Sequence, residues 1–202
     1  LKNKNMEKMN NIINWSEVYS NPSLAKEIGH EVISRVMKGK VYTHDGVYHA
    51  DDVFCTALLK YVAGNFKVIR TRKIGDDGFT YDVGGGDFDH HHCDEFRQWA
   101  DGIFASFGKL WCTVGRTIEG LREEAWKEID DNFIRSIDFT DNTGQMNPVN
   151  YFINSTRVNG VCDENFWNAV EIAYTMLVSI IQSGIERSRE LDLFEAEVKT
   201  AN

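Results

Sequence analysis

Apolar positions change their spacing along the first hundred residues, and this change predicts an α/β architecture. Asn21-Pro22 is a helix start, apolar residues follow at every fourth position, and Gly39 ends the pattern. A second helical pattern runs from about Ala50 to Gly64. Short β-prone runs predict strands at residues 41–43, 66–70 and 79–83. Because strands and helices alternate, we expect a mostly parallel sheet flanked by crossover helices.

The second hundred residues follow a helical period almost throughout. Their apolar stripes predict helices from Gly102, around residues 126–137 and from about Asn165, the last ending in a charged stretch from Glu186. We therefore predict one α/β domain with a helical second half. The expected division is an N-terminal tail and helix at residues 1–40, the domain at residues 41–190 and a C-terminal tail at residues 191–202.

Amino-acid composition limits the classes of protein to which this chain can belong. The 202 residues are 42% hydrophobic with two prolines, which is typical of a globular chain. A net charge of -9 disfavours binding of duplex DNA, which needs clustered Lys and Arg, although bound cations can still attract a phosphate substrate. The four cysteines form no CxxC pair, and no apolar run approaches the ~20 residues of a membrane span. We expect a reduced, cytoplasmic protein that does not bind membranes.

Nearly all candidate ligands fall in four short segments. Several of them directly follow predicted strands, and the carboxyl ends of parallel strands meet in one crevice. Their histidines and carboxylates can therefore converge. The segments are HDGVYHADD at residues 44–52, DVGG at 82–85, DFDHHH at 87–92 and DFTDN at 138–142.

Some of these residues have an ordinary structural explanation. Asp51 and Asp52 lie in the predicted first turn of a helix, where the helix dipole favours negative charge for stability alone. Asp89 and the histidines at 90–92 fit neither a buried strand nor a helical stripe, so a solvated polar loop is their alternative to a ligand role. Arg70 and Arg72 follow a strand end, where they can either neutralise a phosphate or be solvated surface charges.

The ligand types favour a pair of transition-metal ions. Imidazole and carboxylate together suit Mn, Fe, Co or Zn, whereas an all-oxygen set would suit Mg or Ca. The chain offers more candidates than one ion needs, and two ions about 3.5–4 Å apart are common in phosphoryl chemistry. Cys93 has no thiolate partner, so we expect a buried thiol there. Gly84-Gly85-Gly86 lacks the Walker lysine, so we expect a tight turn that lets the backbone approach the metals.

Five motifs resemble, in the same order along the chain, those of a known family. They are H-D-G-x-x-H-A-D-D (44–52), R-T-R (70–72), D-V-G-G (82–85), D-H-H (89–91) and D-x-x-D-N (138–142). The family is the melanocyte-proliferating-gene (Myg) protein family, a branch of the DHH phosphoesterases. The resemblance runs from about Val41 to Arg189. It implies a DHH-type α/β domain, manganese with magnesium possible, and a nuclease-like hydrolase; characterised relatives are 3′-to-5′ exonucleases acting on RNA.

The resemblance also implies roles for individual residues. The metal ligands would be His44, His49, Asp51, Asp82, His90 and either Asp138 or Asp141. Asp141 is favoured, because residues 140–144 resemble the Thr-Asp-Thr-Gly of wider DHH enzymes. His91 would contact the scissile phosphate, and Arg72 would help to absorb its charge. His92 stands where glutamine is more usual, and the second, substrate-gripping domain of DHH enzymes is expected to be absent.

The resulting hypothesis is a phosphoesterase that hydrolyses phosphodiester bonds of short or single-stranded oligonucleotides. It would use two Mn²⁺ ions per chain, which share Asp82, to activate water. A pyrophosphatase or a cyclic- or small-nucleotide phosphodiesterase would share this metal core. The alternative from another class is a non-catalytic, metal-bound nucleotide-binding or interaction module. Most of the large aromatics of the second half are expected in the core, but exposed ones could stack bases or support a homo-oligomer that closes the cleft. These aromatics are Trp111, Trp126, Phe133, Phe152 and Trp167.

Overall fold

The computed structural model describes residues 13–75, 77–91, 98–99, 102–158 and 160–201. Within them, the helices are α1 (Trp15–Ser20), α2 (Pro22–Lys38), α3 (Ala50–Ala63), α4 (Ser106–Thr113), α5 (Glu123–Ile129), α6 (Arg135–Thr143), α7 (Pro148–Ser155) and α8 (Asp163–Ala201). The strands are β1 (Lys40–Thr43), β2 (Val68–Arg70), β3 (Gly78–Thr80), β4 (Gln98–Trp99) and β5 (Gly102–Ile103). A 3₁₀ turn (Val114–Thr117) follows α4, and a π-helical turn (Asp130–Ile134) joins α5 to α6.

A three-stranded parallel sheet organises the first half of the chain. β1 lies in the centre, with β2 on one side and β3 on the other, so that Val41 faces both Val68 and Phe79. α3 connects β1 to β2, whereas the described part of residues 71–77 connects β2 to β3 without a helix. Because the three strands run in one direction, the segments that follow them emerge at the same edge of the sheet.

The predicted helices of the first hundred residues are confirmed, and the third strand is shorter than predicted. α2 follows Asn21, whose side chain accepts a hydrogen bond from the Leu24 amide, and it ends at Gly39. The prediction that a strand continues to residue 83 is wrong. Asp82 adopts a φ of 55°, which is incompatible with an extended strand, and the chain turns there.

The second half is mostly helical, as predicted, but its boundaries differ. Residues 102–103 form β5, paired antiparallel with β4, so the helix begins at Ser106 and not at Gly102. The helix predicted around residues 126–137 is α5 and α6 with the π-turn between them, and α7 was not predicted. α8 has 39 residues and continues as a helix through residues 191–201, where a C-terminal tail was expected.

The hydrophobic core lies between the sheet and the long helices, with α3 at its centre. Residues 50–59 of α3 are all buried. Trp111 and Trp126 are buried and nearly parallel, with ring centroids 6.2 Å apart, while Phe133 is partly buried. Phe152 and Trp167 are exposed, so the core does not account for all of the aromatics. None of the helices described is long and apolar enough to cross a membrane.

Gly29 marks a close contact between α2 and the end of α4. A Cβ atom there would lie 2.5 Å from the Thr113 carbonyl oxygen and 2.8 Å from Thr117 Cγ2. Helix propensity alone predicts that alanine stabilises such a position by about 0.5–1 kcal/mol. We expect the opposite, because the helix backbones would have to separate: Gly29→Ala should lower the free energy of unfolding in urea by about 1–3 kcal/mol.

The exposed Glu27→Ala substitution on the same helix is the matched control, and its effect should stay within about 0.5 kcal/mol. A Gly29→Ala protein as stable as the wild type, or more so, would contradict the close packing of α2.

Candidate functional site

Asp82 lies at the centre of a cluster of histidines and carboxylates at the edge of the sheet. Its Oδ2 lies 3.2 Å from His44 Nε2, and its Oδ1 lies 3.1 Å from both His90 Nε2 and His91 Nδ1. The Ser106 hydroxyl donates a hydrogen bond to Oδ1 at 3.2 Å. The two oxygens of one buried carboxylate therefore face two different groups of side chains.

The first group consists of His44, Asp52 and Asp82. His44 follows β1, Asp52 lies in the first turn of α3, and His44 Nε2 is 3.4 Å from Asp52 Oδ2. Asp52 Oδ1 caps α3 by accepting a hydrogen bond from the His49 amide at 2.7 Å. Its Oδ2 is buried without a hydrogen-bond partner among the described residues, as is His44 Nε2. Buried polar atoms without partners are costly, so these two atoms fit a divalent cation as a shared partner.

The second group consists of Asp51, His90 and Asp141. His90 Nε2 lies 2.9 Å from Asp141 Oδ2 on α6 and 3.9 Å from Asp51 Oδ2 on α3. The ligand atoms of this group all lie within 4.8 Å of one another, and the same holds for the first group and for Asp82, His90 and His91. Since the groups share members, their donor atoms form one continuous set that could hold metal ions.

Two aspartates hold α4 in place beside this cluster. Ala105, the N-cap residue, provides no side-chain cap. Instead, Asp51 accepts hydrogen bonds from the first two amides of α4 at 3.2 and 2.7 Å, and Asp138 accepts one from the third at 3.0 Å. These carboxylates satisfy amides that a helix leaves free and lie at the positive end of its dipole. Asp138 therefore faces α4, whereas Asp141, one turn further along α6, reaches the histidines.

Asp89 shapes the loop that carries the histidines. Its Oδ1 accepts a hydrogen bond from the His91 amide at 2.9 Å and lies 3.1 Å from His91 Nδ1, while its Oδ2 accepts one from the Gly85 amide at 2.7 Å. Burial raises the pKa of Asp89, but these hydrogen bonds outweigh it and lower the pKa to about 2. The ionised Asp89 thus holds the His91 ring, which is about half exposed, at the surface of the site.

The cluster attracts positive charge strongly. Burial lowers the pKa of His90, yet its hydrogen bonds with Asp141 and Asp82 outweigh this effect and raise the pKa to about 11. The same competition, between burial and the carboxylates of Asp82 and Asp52, raises the pKa of His44 to about 9. The negative charge of the carboxylates is therefore the dominant electrostatic feature of the site, and protons and metal ions compete for it.

Two arginines hold the loop between β1 and α3. Arg70 donates hydrogen bonds to the Gly46 carbonyl and to Asp163, both at 2.8 Å, and Arg157 donates one to the Tyr48 carbonyl. Both guanidinium groups also lie over the Tyr48 ring, at 5.9 and 5.1 Å from its centroid. The Arg70 side chain is only 5% exposed, so it fixes this loop and is not placed to neutralise a phosphate.

An open cleft of about 340 Å³ lies against the cluster. His44, His49, Asp82 and His91 all line it, and the highly exposed Arg72 lies at its rim in an ion pair with Asp45 at 3.2 Å. His49 Nδ1 is 3.9 Å from Asp141 Oδ1, so His49 borders the cluster without joining the ligand groups above. Arg72 carries the one guanidinium or ammonium among the described residues that line the cleft.

Three described residues contribute to the site although the sequence assigned them no role in it. Asp52 belongs to the first motif and follows a candidate ligand directly, but a helix start explained it equally well. For Ser106 and Lys109 no local pattern indicates the contact that they make: the Ser106 hydroxyl donates to Asp82, and Lys109 is buried and donates to the Asp89 carbonyl at 2.7 Å. His92 and Cys93 lie outside the described residues.

Comparison with known proteins gives one match. The family model MYG1_exonuc, described as an uncharacterised protein family (UPF0160), matches residues 40–186. No curated protein and no solved structure matched the chain. The matched residues contain both ligand groups, the cleft and its arginine, and they begin after α1 and α2. Because the match covers well over half of the sequence and the motifs of the site lie within it, the chain belongs to the MYG1_exonuc family.

Proposed function

We propose that the chain is a metal-dependent phosphoesterase that hydrolyses phosphodiester bonds of short or single-stranded oligonucleotides, in the manner of a 3′-to-5′ exonuclease. The observation that carries this proposal is the position of Asp82, whose two oxygens face two groups of metal-ligating side chains beside an open cleft. Exonuclease-like chemistry is also what the name of the matching family suggests.

The donor set identifies the residues that would hold the ions. His44, Asp52 and Asp82 would hold one, and Asp51, His90 and Asp141 the other, with Asp82 between them. His49 remains a further candidate at the edge of the cleft. Mixed imidazole and carboxylate ligands favour Mn²⁺, with Mg²⁺ as the alternative. Such ions lower the pKa of a bound water and neutralise charge on a phosphoryl group.

Other side chains of the cleft would bind and orient the substrate. His91, held by Asp89 at the cleft surface, can donate a hydrogen bond to a phosphoryl oxygen as charge develops there. Arg72 can exchange its exposed ion pair with Asp45 for a bidentate contact to a phosphate. With one such cation at the cleft and a net charge of -9, the chain fits a short single strand better than a duplex.

Metal binding tests whether Asp82 is shared by two ions. Calorimetric titration should show that the wild type binds two Mn²⁺ per chain, because the two ligand groups are adjacent. Asp82→Asn and His90→Ala should each lower Mn²⁺ affinity by more than about tenfold, the loss typical even of residues behind the ligands. His30→Ala, an exposed histidine on α2, is the control and should titrate like the wild type. Two unaltered sites in Asp82→Asn would refute the shared carboxylate.

Asp52→Asn tests whether Asp52 is a metal ligand in addition to a helix cap. The amide oxygen of asparagine can still accept the His49 hydrogen bond, while the buried carboxyl oxygen Oδ2 is replaced by an amide nitrogen. We expect thermal stability without metal to change little and the affinity of one Mn²⁺ to fall by about tenfold or more. The control is Asp192→Asn on the exposed side of α8. Unchanged binding of both ions would remove Asp52 from the ligand set.

His91→Ala tests the division between ligands and substrate contacts. We expect kcat for a Mn²⁺-dependent dinucleotide assay to fall by about 10²–10⁴-fold, the range for loss of a proton donor, while two Mn²⁺ still bind. Loss of an ion in this variant would make His91 a ligand. The same assay with pyrophosphate and a cyclic dinucleotide tests the substrate class, and turnover of pyrophosphate alone would overturn the proposed function.

A further inference from the structure

α1 lies outside the residues matched by the family model, yet it contacts the loop that carries the histidines of the site. We call residues 82–91 the histidine loop. The Ile13 amide, just before α1, donates a hydrogen bond to Asp87 Oδ1 at 3.3 Å. Trp15 is buried and packs edge-to-face against Phe88, with ring centroids 5.3 Å apart. The start of the described chain therefore forms one wall of the histidine loop.

Phe88 connects Trp15 to Asp82. The Phe88 carbonyl accepts a hydrogen bond from the Asp82 amide at 3.1 Å, which closes the loop across a turn with positive φ at Gly84 and Gly85. Asp82 itself has a φ of 55°. A non-glycine residue keeps such a conformation only where the surrounding structure fixes it. By anchoring Phe88, the Trp15 ring helps to fix the backbone of the residue that both ligand groups share.

Lys109 provides a second connection from the same ring. Its ammonium group lies 5.6 Å from the centroid of Trp15, within the range of a cation–π interaction. Lys109 Nζ donates a hydrogen bond to the carbonyl oxygen of Asp89, the residue before His90. Asp82, at the start of the histidine loop, and Asp89, next to its histidines, are thus both held by groups that pack on Trp15.

We propose that Trp15 is a positioning residue for the histidine loop, so that α1 is part of the working site of this chain. Trp15 acts through Phe88 and Lys109, and it is not among the described residues that line the cleft. The proposal rests on the proposed function only where turnover is measured, because loop order and Mn²⁺ binding can be followed without any reaction.

The test compares three substitutions in α1 of the full chain. Trp15→Ala removes the ring, Trp15→Phe keeps an aromatic face, and Val18→Ala shortens the other buried side chain of the helix. Hydrogen–deuterium exchange of residues 82–91, calorimetric Mn²⁺ affinity, and kcat and KM are measured on each. We expect faster exchange in the histidine loop and an Mn²⁺ affinity lower by about tenfold in Trp15→Ala, with most of both restored in Trp15→Phe.

Val18→Ala should bind Mn²⁺ like the wild type even though it also removes core packing. Loop exchange and Mn²⁺ affinity that are equal in Trp15→Ala and Val18→Ala would overturn the proposal and leave Trp15 as an ordinary core residue. If Trp15→Ala does not fold, Trp15→Leu decides instead, because it removes the aromatic ring while retaining a large apolar side chain against Phe88; an unchanged histidine loop there would overturn the proposal. A wild type that binds Mn²⁺ but hydrolyses nothing would refute the proposed function and leave this inference standing on its other two measurements.

Discussion

The arrangement around the site depends on keeping the Asp82 carboxylate ionised in a buried position. Removing a carboxylate from water is expensive unless charged or hydrogen-bonding partners replace the solvent. Here three imidazoles surround the carboxylate and the Ser106 hydroxyl donates a hydrogen bond to it. The imidazoles of His44, His90 and His91 outweigh the effect of burial and hold the pKa of Asp82 well below its usual range. The edge of the sheet, the first turn of α3 and the start of α4 all contribute to this one environment.

The remaining acidic residues of the site differ in whether they bond backbone amides, face the imidazoles, or do both. Asp138 and Asp89 satisfy backbone amides, in α4 and in the histidine loop respectively. Asp141 points an oxygen at an imidazole, and Asp51, Asp52 and Asp89 do both. Aspartates that stabilise helix starts thus also carry candidate ligand oxygens, so an ordinary structural explanation and the proposed ligand role are compatible here.

The sequence pattern predicted the features that depend on interactions between residues close together in the chain. Local sequence rules predicted the Asn21 cap and the helix ends at Gly39 and Gly64. They also predicted that segments following parallel strands converge at one edge of the sheet. Features set by distant packing were not predictable in this way. The sequence around Asp82 continues a β-prone run, so it predicts an extended strand there. The left-handed conformation of Asp82 depends on packing with Phe88 and Trp15, which the local sequence does not reveal.

In the candidate site, too, the sequence predicted what depends on local pattern but not what depends on distant packing. The motifs grouped the histidines and aspartates correctly in space, because most of them follow a strand or begin α3 at one edge of the sheet, and Asp141 reaches them from the end of α6. They could not separate Asp138 from Asp141, since both lie on the same helix and differ only in what that helix packs against. For Arg70 the deciding contact, with Asp163 at the start of α8, is 93 residues away in sequence.

The central claim is that one carboxylate joins two metal sites. Crystals grown with Mn²⁺ and measured with anomalous scattering at the manganese edge test it most directly. The account predicts two anomalous peaks about 3.5–4 Å apart, one beside each oxygen of Asp82, with His44 next to one and His90 next to the other. A single peak, or peaks that do not contact Asp82, would contradict it.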